Sequence, residues 1–213
     1  MQDNWPFPRL TVPNDQILLQ FLVVLCETDP LIWRRIQVPS HYSFWDLHVA
    51  IQDAMGWKDY HLHEFQVARP AKLRGRRIEF VGIPGADPYE DRHMRPGWKV
   101  WLADYFDGDA QPVIYTYDFG DNWRHVIHYE TFAVVDPSRS YPCCVGGARR
   151  CPPEDCGGIR GYREFLEAIA DPTHPEHESY LEWVGGSYDP DDFDPDAVTF
   201  DDPHDRWMIA FSD

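Results

Sequence analysis

The apolar run ILLQFLVVLC, residues 17–26, constrains the fold of this chain more than any other stretch of it. Gln20 interrupts the run, which is far shorter than the roughly 20 apolar residues that cross a bilayer, so it predicts a buried β-strand. The segment IWRRIQV, Ile32–Val38, alternates between apolar and polar residues as a half-buried strand does. Because the intervening ETDPL contains Pro30, a residue common in turns, the two segments predict adjacent strands joined by a short connection.

A helix is predicted directly after these strands, and its two ends are marked in the sequence. Ser43 is a residue type that caps helix N-termini, and Asp46 stands three residues later, as in a capping box. Apolar residues then recur at three- and four-residue intervals up to Met55, and Gly56 is typical of the position that ends a helix. This spacing predicts an amphipathic helix whose apolar stripe packs into the core.

Strands predominate in the middle of the chain, and helices follow near its end. HLHEFQV, residues 61–67, alternates with a period of two, RRIEFVG predicts a short strand, and residues 82–98 predict a loop rich in Gly, Pro and charged residues. VIYTYDF and WRHVIHYETFAVV predict a hairpin joined by the turn residues GDN. YREFLEAIA and PEHESYLEWV then predict two helices, ended by Asp171-Pro172 and Gly185-Gly186. This order of elements predicts an α+β fold: a single domain with a largely antiparallel sheet, on which one early helix and two late helices pack.

The domain is predicted to carry an appendage at each end. Residues 17–188 hold all the predicted strands and helices, and they follow an N-terminal extension at residues 1–16. Residues 189–213 form an acidic C-terminal tail packed on the domain. Its apolar side chains are expected to hold it in place: Phe193, Val198 and Trp207.

Charge is distributed unevenly along the 213 residues, whose formal net charge is −17. Residues 164–213 contain 15 acidic side chains and one basic side chain, whereas residues 1–163 are nearly neutral. Nucleic-acid binding depends mainly on Lys and Arg side chains that neutralise phosphates. Direct binding to nucleic acid is therefore not expected, and the acidic segment favours a protein partner with a basic surface. Since no stretch resembles a signal peptide or a membrane span, a cytoplasmic location without membrane contact is expected.

Four cysteines lie close together in a Gly- and Pro-rich connection that follows the predicted hairpin. Cys143, Cys144, Cys151 and Cys156 fall within fourteen residues of one another. Irregular segments of this length are usually tied down, and in a reducing cytoplasm zinc–thiolate ligation is the natural means. Three of the cysteines, completed by a histidine from elsewhere, would make a tetrahedral zinc site. The alternative is a metal-free thiol loop packed on the sheet.

The sequence YHLHEF places two histidines two residues apart in a predicted strand. His61 and His63 would then lie on the same face of the sheet, an arrangement that can hold one metal ion. In that case Glu64 is the candidate base. The alternative is that both imidazoles serve only as hydrogen-bonding groups in the sheet.

The predicted hairpin YDFGDNWRHVIHYE gathers acids and histidines around its turn. Asp118 and Asp121 lie near His125, and an acid beside a histidine can orient the ring and raise its basicity, as general-base catalysis requires. The same side chains also suit a structural role, because aspartates accept hydrogen bonds from nearby amides in turns and Trp123 is a natural core anchor.

Two functions are consistent with these clusters. The first is a non-catalytic interaction or accessory module, since no nucleophile elbow, phosphate-binding glycine loop or HExxH helix occurs in the chain. The second is a metal-dependent hydrolase, in which the ion activates water beside polar side chains of the hairpin and of YHLHEF. The candidate catalytic residues for this second function are His125, Asp121 and Glu64.

Several stretches taken together resemble one protein family. They are, in chain order, PLIWRRIQVP, FWDLHVAIQDAMGW, HLHEF, YTYDFGDNWRHVIHYE, CPPEDCGGIRGYREFLEAI and DPTHPEHESYLEWVGGSYDPDDFD. This combination resembles the plasmid pRiA4b ORF-three-like family, whose members include TnpR-like passenger proteins of insertion sequences. The resemblance implies an α+β fold and an accessory role of the kind carried by plasmids and other mobile elements.

The resemblance also selects individual residues. The family pattern falls on twelve residues of the strands and the hairpin: Trp33, Arg34, Arg35, His61, His63, Phe65, Asp118, Phe119, Gly120, Asp121, Trp123 and His125. Seven of them become the predicted binding residues: Arg35, His61, His63, Asp118, Asp121, Trp123 and His125. It falls as well on the three cysteines that become the predicted zinc ligands, namely Cys144, Cys151 and Cys156. Cys143 stands beside this pattern as an extra thiol.

The TnpR label suggests a DNA resolvase, but the residues do not support that activity. A serine recombinase needs a nucleophilic serine flanked by arginines that hold the scissile phosphate, and a basic domain that reads DNA. Ser40 and Ser43 instead lie at a predicted strand exit and a predicted helix cap, and the C-terminal segment is acidic. Resolvase activity is therefore not expected.

Overall fold

The computed structural model describes residues 16–69, 77–85, 93–106 and 110–211. These residues form a mixed α+β fold with an eight-stranded, mostly antiparallel sheet and four α-helices, which confirms the predicted fold class. The predicted N-terminal extension lies outside the described residues except for Gln16, and so do the last two residues of the tail.

The sheet runs through the whole domain. Its strands are, in chain order, β1 (Ile17–Leu25), β2 (Ile32–Pro39), β3 (His63–Ala68), β4 (Ile78–Gly82), β5 (Met94–Pro96), β6 (Val113–Tyr117), β7 (Trp123–Val134) and β8 (Cys143–Ala148). They lie side by side in the order β5-β4-β3-β6-β7-β1-β2-β8. Neighbouring strands are antiparallel except β4 and β5, which are parallel. The two predicted hairpins are thus β1–β2 and β6–β7.

Four helices accompany the sheet: α1 (Phe44–Met55), α2 (Gly158–Ala170), α3 (His177–Trp183) and α4 (Pro203–Phe211). The predicted capping box is present at α1, where the Ser43 amide donates to Asp46 Oδ2 at 2.7 Å and Ser43 Oγ accepts from the Asp46 amide at 3.3 Å. The helix ends at Gly56, whose φ of +84° suits glycine. The apolar stripe of α1 packs on one face of the sheet, with Phe44 edge-on to Phe65 at 5.1 Å between ring centroids.

Three elements arise where the sequence did not predict them. The start of the cysteine-rich connection, expected to be irregular, forms the edge strand β8, in which Cys144 pairs with Ile36 of β2. Gly146 and Gly147 have no side chains that would indicate a strand. They form one because they pair with β2, whose outer edge would otherwise have no partner strand. The short strand β5 lies in a segment predicted to be a loop, and α4 lies in the predicted tail.

The acidic C-terminal segment lies against the domain through aromatic and charged contacts. The ring of Phe193 covers the guanidinium of Arg34 at 3.7 Å, and Trp207 packs on Trp98 with 4.4 Å between centroids. Arg206 Nη2 of α4 is 2.7 Å from Asp53 Oδ1 of α1. Among the residues that the structure describes, no helix is both long and apolar enough to cross a membrane.

Candidate functional site

A group of three ligand-capable side chains gathers where the β6–β7 turn meets the connection that follows β8. His61 Nε2 is 2.9 Å from Asp155 Oδ1 and 3.6 Å from Asp118 Oδ2, and one donor atom of each residue lies within 4.8 Å of the others. Despite these distances, His61 Nε2 makes no hydrogen bond of normal geometry in the described part of the chain. The group is partly buried: the Asp155 side chain is 65% exposed, whereas Asp118 and the Nε2 atom of His61 are buried.

Local backbone conformation places both carboxylates of this group. Asp118 and Asp155 have φ values of +53° and +58°, a region that Asp tolerates better than most residues. Asp118 Oδ1 accepts hydrogen bonds from the amides of Gly120 and Asp121, at 2.8 and 3.3 Å, which leaves Oδ2 directed towards the histidine. The hairpin turn therefore orients one carboxylate oxygen into the group while satisfying the other.

A second group of three lies in the interior. His48 Nε2 is 2.8 Å from Asp59 Oδ1, and His48 Nδ1 is 2.8 Å from the Tyr115 hydroxyl. His63 stacks on His48 with 3.4 Å between ring centroids and 13° between planes. Imidazole lone pairs lie in the ring plane, so two stacked, nearly parallel rings do not direct them at one ion. Burial, together with the nearby His48, holds the pKa of His63 well below its usual value.

The predicted pair His61 and His63 is therefore divided between two groups. His61 lies in a bend before β3 and not in the strand, so the alternation that would put both rings on one face does not extend to it. Glu64 follows His63 within β3, and adjacent strand residues point to opposite faces. Its carboxylate accepts a hydrogen bond from Gln66 Nε2 at 2.7 Å.

His125 lies in the core and not at the end of the hairpin. Its ring is fully buried, edge-on to Trp57 at 5.4 Å, and beside it Trp123 is 2% exposed. Burial lowers the pKa of His125 to about 3. Main-chain groups of Tyr115 and Trp123 adjoin the ring, but neither ring nitrogen makes a hydrogen bond of normal geometry. An imidazole so weakly basic and closed to solvent does not suit general-base catalysis.

The remaining predicted polar residues join parts of the fold. Asp121 Oδ2 accepts from the Gly157 amide at 3.1 Å and thereby attaches the hairpin turn to the start of α2. Arg35 lies on the outer face of the sheet and makes a bidentate pair with Glu130, with two N–O distances of 2.8 Å. This contact lowers the pKa of Glu130.

The cysteines are free thiols near the edge of the sheet. Cys144 and Cys151 are buried, Cys156 is half-buried, and none belongs to either group of ligand-capable side chains found in the described residues. Burial raises the pKa of Cys151, and it raises that of Cys156 to about 12, so these groups are protonated near neutral pH. Zinc ligation by Cys144, Cys151 and Cys156 remains a prediction, and it requires their deprotonation on binding.

A cleft of about 640 Å³ opens between the end of α1, the connection after β8, the end of α3 and the C-terminal segment, and its lining residue Glu154 precedes Asp155 in the chain. Its walls carry four aromatic side chains, Trp57, Trp183, Tyr188 and Phe193, and three cations, Arg34, Lys58 and Arg150. Arg34 was not among the predicted binding residues. The alternation in β2 contained the signal, because Arg34 occupies a core-facing position between Ile32 and Ile36.

His48 was also missed by the sequence reasoning. It lies on the apolar stripe of α1, one residue after Leu47, and is fully buried. A polar side chain within a helical apolar stripe is the signal that would have found it. The interior site is therefore built from α1, β3 and β6.

The described residues define a class of protein: an α+β domain with a mixed eight-stranded sheet, a half-exposed histidine–carboxylate group and an aromatic cleft beside it. A family model described as "Plasmid pRiA4b ORF-3-like protein" matches residues 18–197. The chain belongs to the plasmid pRiA4b ORF-3-like family.

Two relatives extend this finding. The chain is 37% identical over 188 residues to "Uncharacterized protein y4hQ" of Sinorhizobium fredii, and the match covers 86% of this chain and 87% of the relative. A crystal structure of a "Protein of Unknown Function MM3350" from Methanosarcina mazei Go1 superimposes with a TM-score of 0.78 at 40% identity. That match covers 87% of this chain and 99% of the other. Neither name assigns an activity.

Proposed function

We propose that this chain is a non-catalytic interaction module, of the kind that plasmids and insertion sequences carry, and that its acidic C-terminal quarter binds a basic protein. The supporting observation is that many acids of this segment are exposed, on α2, on α3 and on the segment that follows α3. Many make no ion pair with a described residue: Glu167, Glu176, Glu178, Glu182, Asp189, Asp192, Asp194, Asp196 and Asp202.

Protein-binding surfaces combine electrostatic complementarity with an apolar contact, and α3 has groups for both. Glu178 and Glu182 are exposed on α3, one turn apart, and Trp183 beside them is 47% exposed. Acidic side chains close to one another make the local electrostatic potential more negative, and this attracts a basic partner. Salt screens the attraction. The residues proposed for catalysis offer less support for an enzyme, because His125 is buried and Glu64 points to the opposite face of the sheet from His63.

The test is binding of a fluorescent Lys- and Arg-rich peptide, measured by anisotropy across a range of NaCl concentrations. We expect salt-sensitive binding that the double variant Glu178→Gln/Glu182→Gln weakens about threefold or more, since exposed charge pairs contribute about 0.2–1 kcal/mol each. The matched control, Glu27→Gln/Asp104→Asn, removes two exposed acids elsewhere and should retain affinity. Equal weakening by both double variants, or no binding at low salt, would remove the proposal.

One observation favours a second function, a metal-dependent hydrolase. His61, Asp118 and Asp155 offer one imidazole nitrogen and two carboxylate oxygens within 4.8 Å of one another, and this donor set fits a divalent cation. A bound ion would supply Lewis-acid polarisation and an activated water. The chain's own contribution would be orientation, through the Asp118 turn and the bend that holds His61.

Elemental analysis of protein purified without a histidine tag, followed by titration with Zn²⁺ and Mn²⁺, tests the hydrolase and the zinc prediction together. Loss of binding in His61→Ala assigns the ion to the histidine–carboxylate group, and loss in Cys151→Ser assigns it to the cysteines. His128→Ala, at an exposed position of β7, is the control. No bound metal and no titration heat would exclude both sites.

A further inference from the structure

Arg34 is a buried cation whose hydrogen-bonding capacity is only partly used. Its side chain is 1% exposed on the core face of β2. Nε donates to the Ala54 carbonyl at 2.7 Å, and Nη1 donates to the carbonyls of Trp33 and Ala148 at 2.8 and 3.0 Å. A guanidinium carries five N–H groups, and the two on Nη2 donate to no described residue.

No described carboxylate forms an ion pair with this guanidinium. Its ionisable neighbours Cys144 and Cys151 are buried thiols with raised pKa values, so they carry no negative charge near neutral pH. The Ala54 carbonyl at the end of α1 offsets part of the charge through the helix dipole. Buried charges are normally paired, and the missing partner here is an anion.

Arg34 lines the cleft, and Phe193, which also lines it, stacks on one face of the guanidinium, so an anion would approach Nη2 in the plane of that group. Lys58 and Arg150 also line the cleft, and each lies over a tyrosine ring without an ion pair to a described residue. The acids deeper in the cleft are already engaged. Asp53 pairs with Arg206 at 2.7 Å, and Glu154 accepts from the Lys58 amide at 2.7 Å.

The rim of the cleft has the opposite charge. Asp192 and Asp194 are exposed there on the C-terminal segment, and two tryptophans also line the cleft, Trp57 at 4% exposure and Trp183 at 47%. A ligand that matches these lining groups has a negative group at its end, an apolar or aromatic body and a basic portion beyond. A peptide with a free C-terminal carboxylate and basic residues before it has these three features in sequence.

We propose that the cleft receives the C-terminal carboxylate of the basic partner, with Arg34 Nη2 donating to the carboxylate and Arg150 adding positive charge at the wall. This inference rests on the proposed function, since the basic residues of the same partner contact the acidic surface. Carboxylate recognition by a buried arginine is a charge-assisted hydrogen bond, which is stronger than one between neutral groups.

The test compares two peptides of identical basic sequence ending in Leu, one with a free C-terminus and one amidated, by isothermal titration calorimetry. The free acid should bind about tenfold more tightly than the amide, which corresponds to about 1.4 kcal/mol. Arg150→Ala, at an exposed wall position, should reduce this preference to about threefold, whereas Arg124→Ala, an exposed arginine on β7, should preserve it. Arg34→Lys should abolish the preference, with the circular dichroism spectrum reporting whether the variant is folded.

The outcomes separate this inference from the proposed function. Salt-sensitive binding of both peptides with equal affinity overturns the carboxylate site and retains the basic partner. N-acetylleucine is the probe for a small-molecule source of the carboxylate. One outcome overturns the peptide assignment and the basic partner together: N-acetylleucine binds, Arg150→Ala abolishes that binding, and neither peptide binds. No binding of any of the three ligands overturns both proposals.

Discussion

His63 and His125 are neutral imidazoles enclosed by the core, and His61 is half-exposed beside two carboxylates. The difference comes from position in the sheet: His63 and His125 lie on core-facing positions of β3 and β7, and His61 precedes its strand. Burial penalises the charged form of a histidine, so the two core residues are built to remain uncharged. Of these three histidines, only His61 combines exposure with nearby acids.

The buried histidines predict how stability depends on pH. The pKa of His125 is lowered to about 3 and that of His63 is also lowered, whereas in the unfolded chain both side chains take up protons below about pH 6.5. The unfolded state therefore binds more protons below that pH, and stability falls as the solution is acidified. We expect the free energy of unfolding, measured in urea, to decrease by about 1 kcal/mol per histidine between pH 6.5 and 5.5.

The variant His125→Leu identifies the source of this dependence. Its free energy of unfolding should change less steeply over the same interval, because one of the two titrating groups is gone. His128→Gln, at an exposed position of β7, should keep the slope of the unsubstituted protein. A slope that is unchanged in His125→Leu would contradict the assignment.

The sequence predicts some residues of the site well and others poorly, for identifiable reasons. The capping role of Ser43 and the turn role of Asp118 follow from local chemistry and are found in the structure. The joint site for His61 and His63 fails because strand boundaries are set by tertiary pairing. The alternation in β2 marked Arg34 as core-facing, but its unused Nη2 donors and its place in the cleft depend on the fold and could not be predicted.

At the scale of elements, α4 depends on contacts with residues far away in the chain. It is held by Arg206 against Asp53 and by Trp207 against Trp45 and Trp98, while Ile209 on its other side is 80% exposed. None of its residues is buried. The sequence indicated an acidic cover anchored by Trp207, but the helix itself escaped prediction because most of its support comes from α1 and the segment after β5.

Removing the aromatic anchor should therefore release α4 without unfolding the sheet. In Trp207→Ala we expect amide hydrogen exchange of residues 203–211 to accelerate about tenfold or more, because local opening requires only the loss of these contacts. Exchange in β1 and β7 should be unchanged. Ile209→Ala, which removes an exposed side chain of the same helix, is the matched control. Faster exchange throughout the sheet would show that α4 belongs to the cooperative core.

At the scale of the whole molecule, the boundary between the nearly neutral and the acidic part of the sequence lies near the boundary between the sheet and the late helices. The formal net charge is −17, and residues 164–213 contain 15 acids and one base. These residues form most of α2, all of α3 and α4, and the loops between them, which lie against a sheet domain that is nearly neutral. The sequence predicted this division because charges can be counted along the chain. The cleft between the two parts could not be predicted, because its walls come together only in the folded structure.

This division predicts that salt stabilises the protein. Like charges fixed close together repel one another in the folded state, and added salt screens that repulsion. We expect the melting temperature to rise by about 2–4 °C between low salt and 0.5 M NaCl, equivalent to about 1 kcal/mol for a chain of this size. Glu178→Gln/Glu182→Gln should reduce the rise. A melting temperature that falls with salt would indicate that attractive ion pairs dominate instead.

The edge strand β8 has a consequence for how copies of the chain behave towards one another. A sheet edge with unpaired amides and carbonyls is a template for association between molecules. Here Pro195–Ala197 packs beside β8, and Phe193 rests where any side chain larger than that of Gly147 would overlap its ring. The acidic segment thus also covers the β8 edge of the sheet. A chain truncated before residue 189 should self-associate into aggregates that the intact protein does not form.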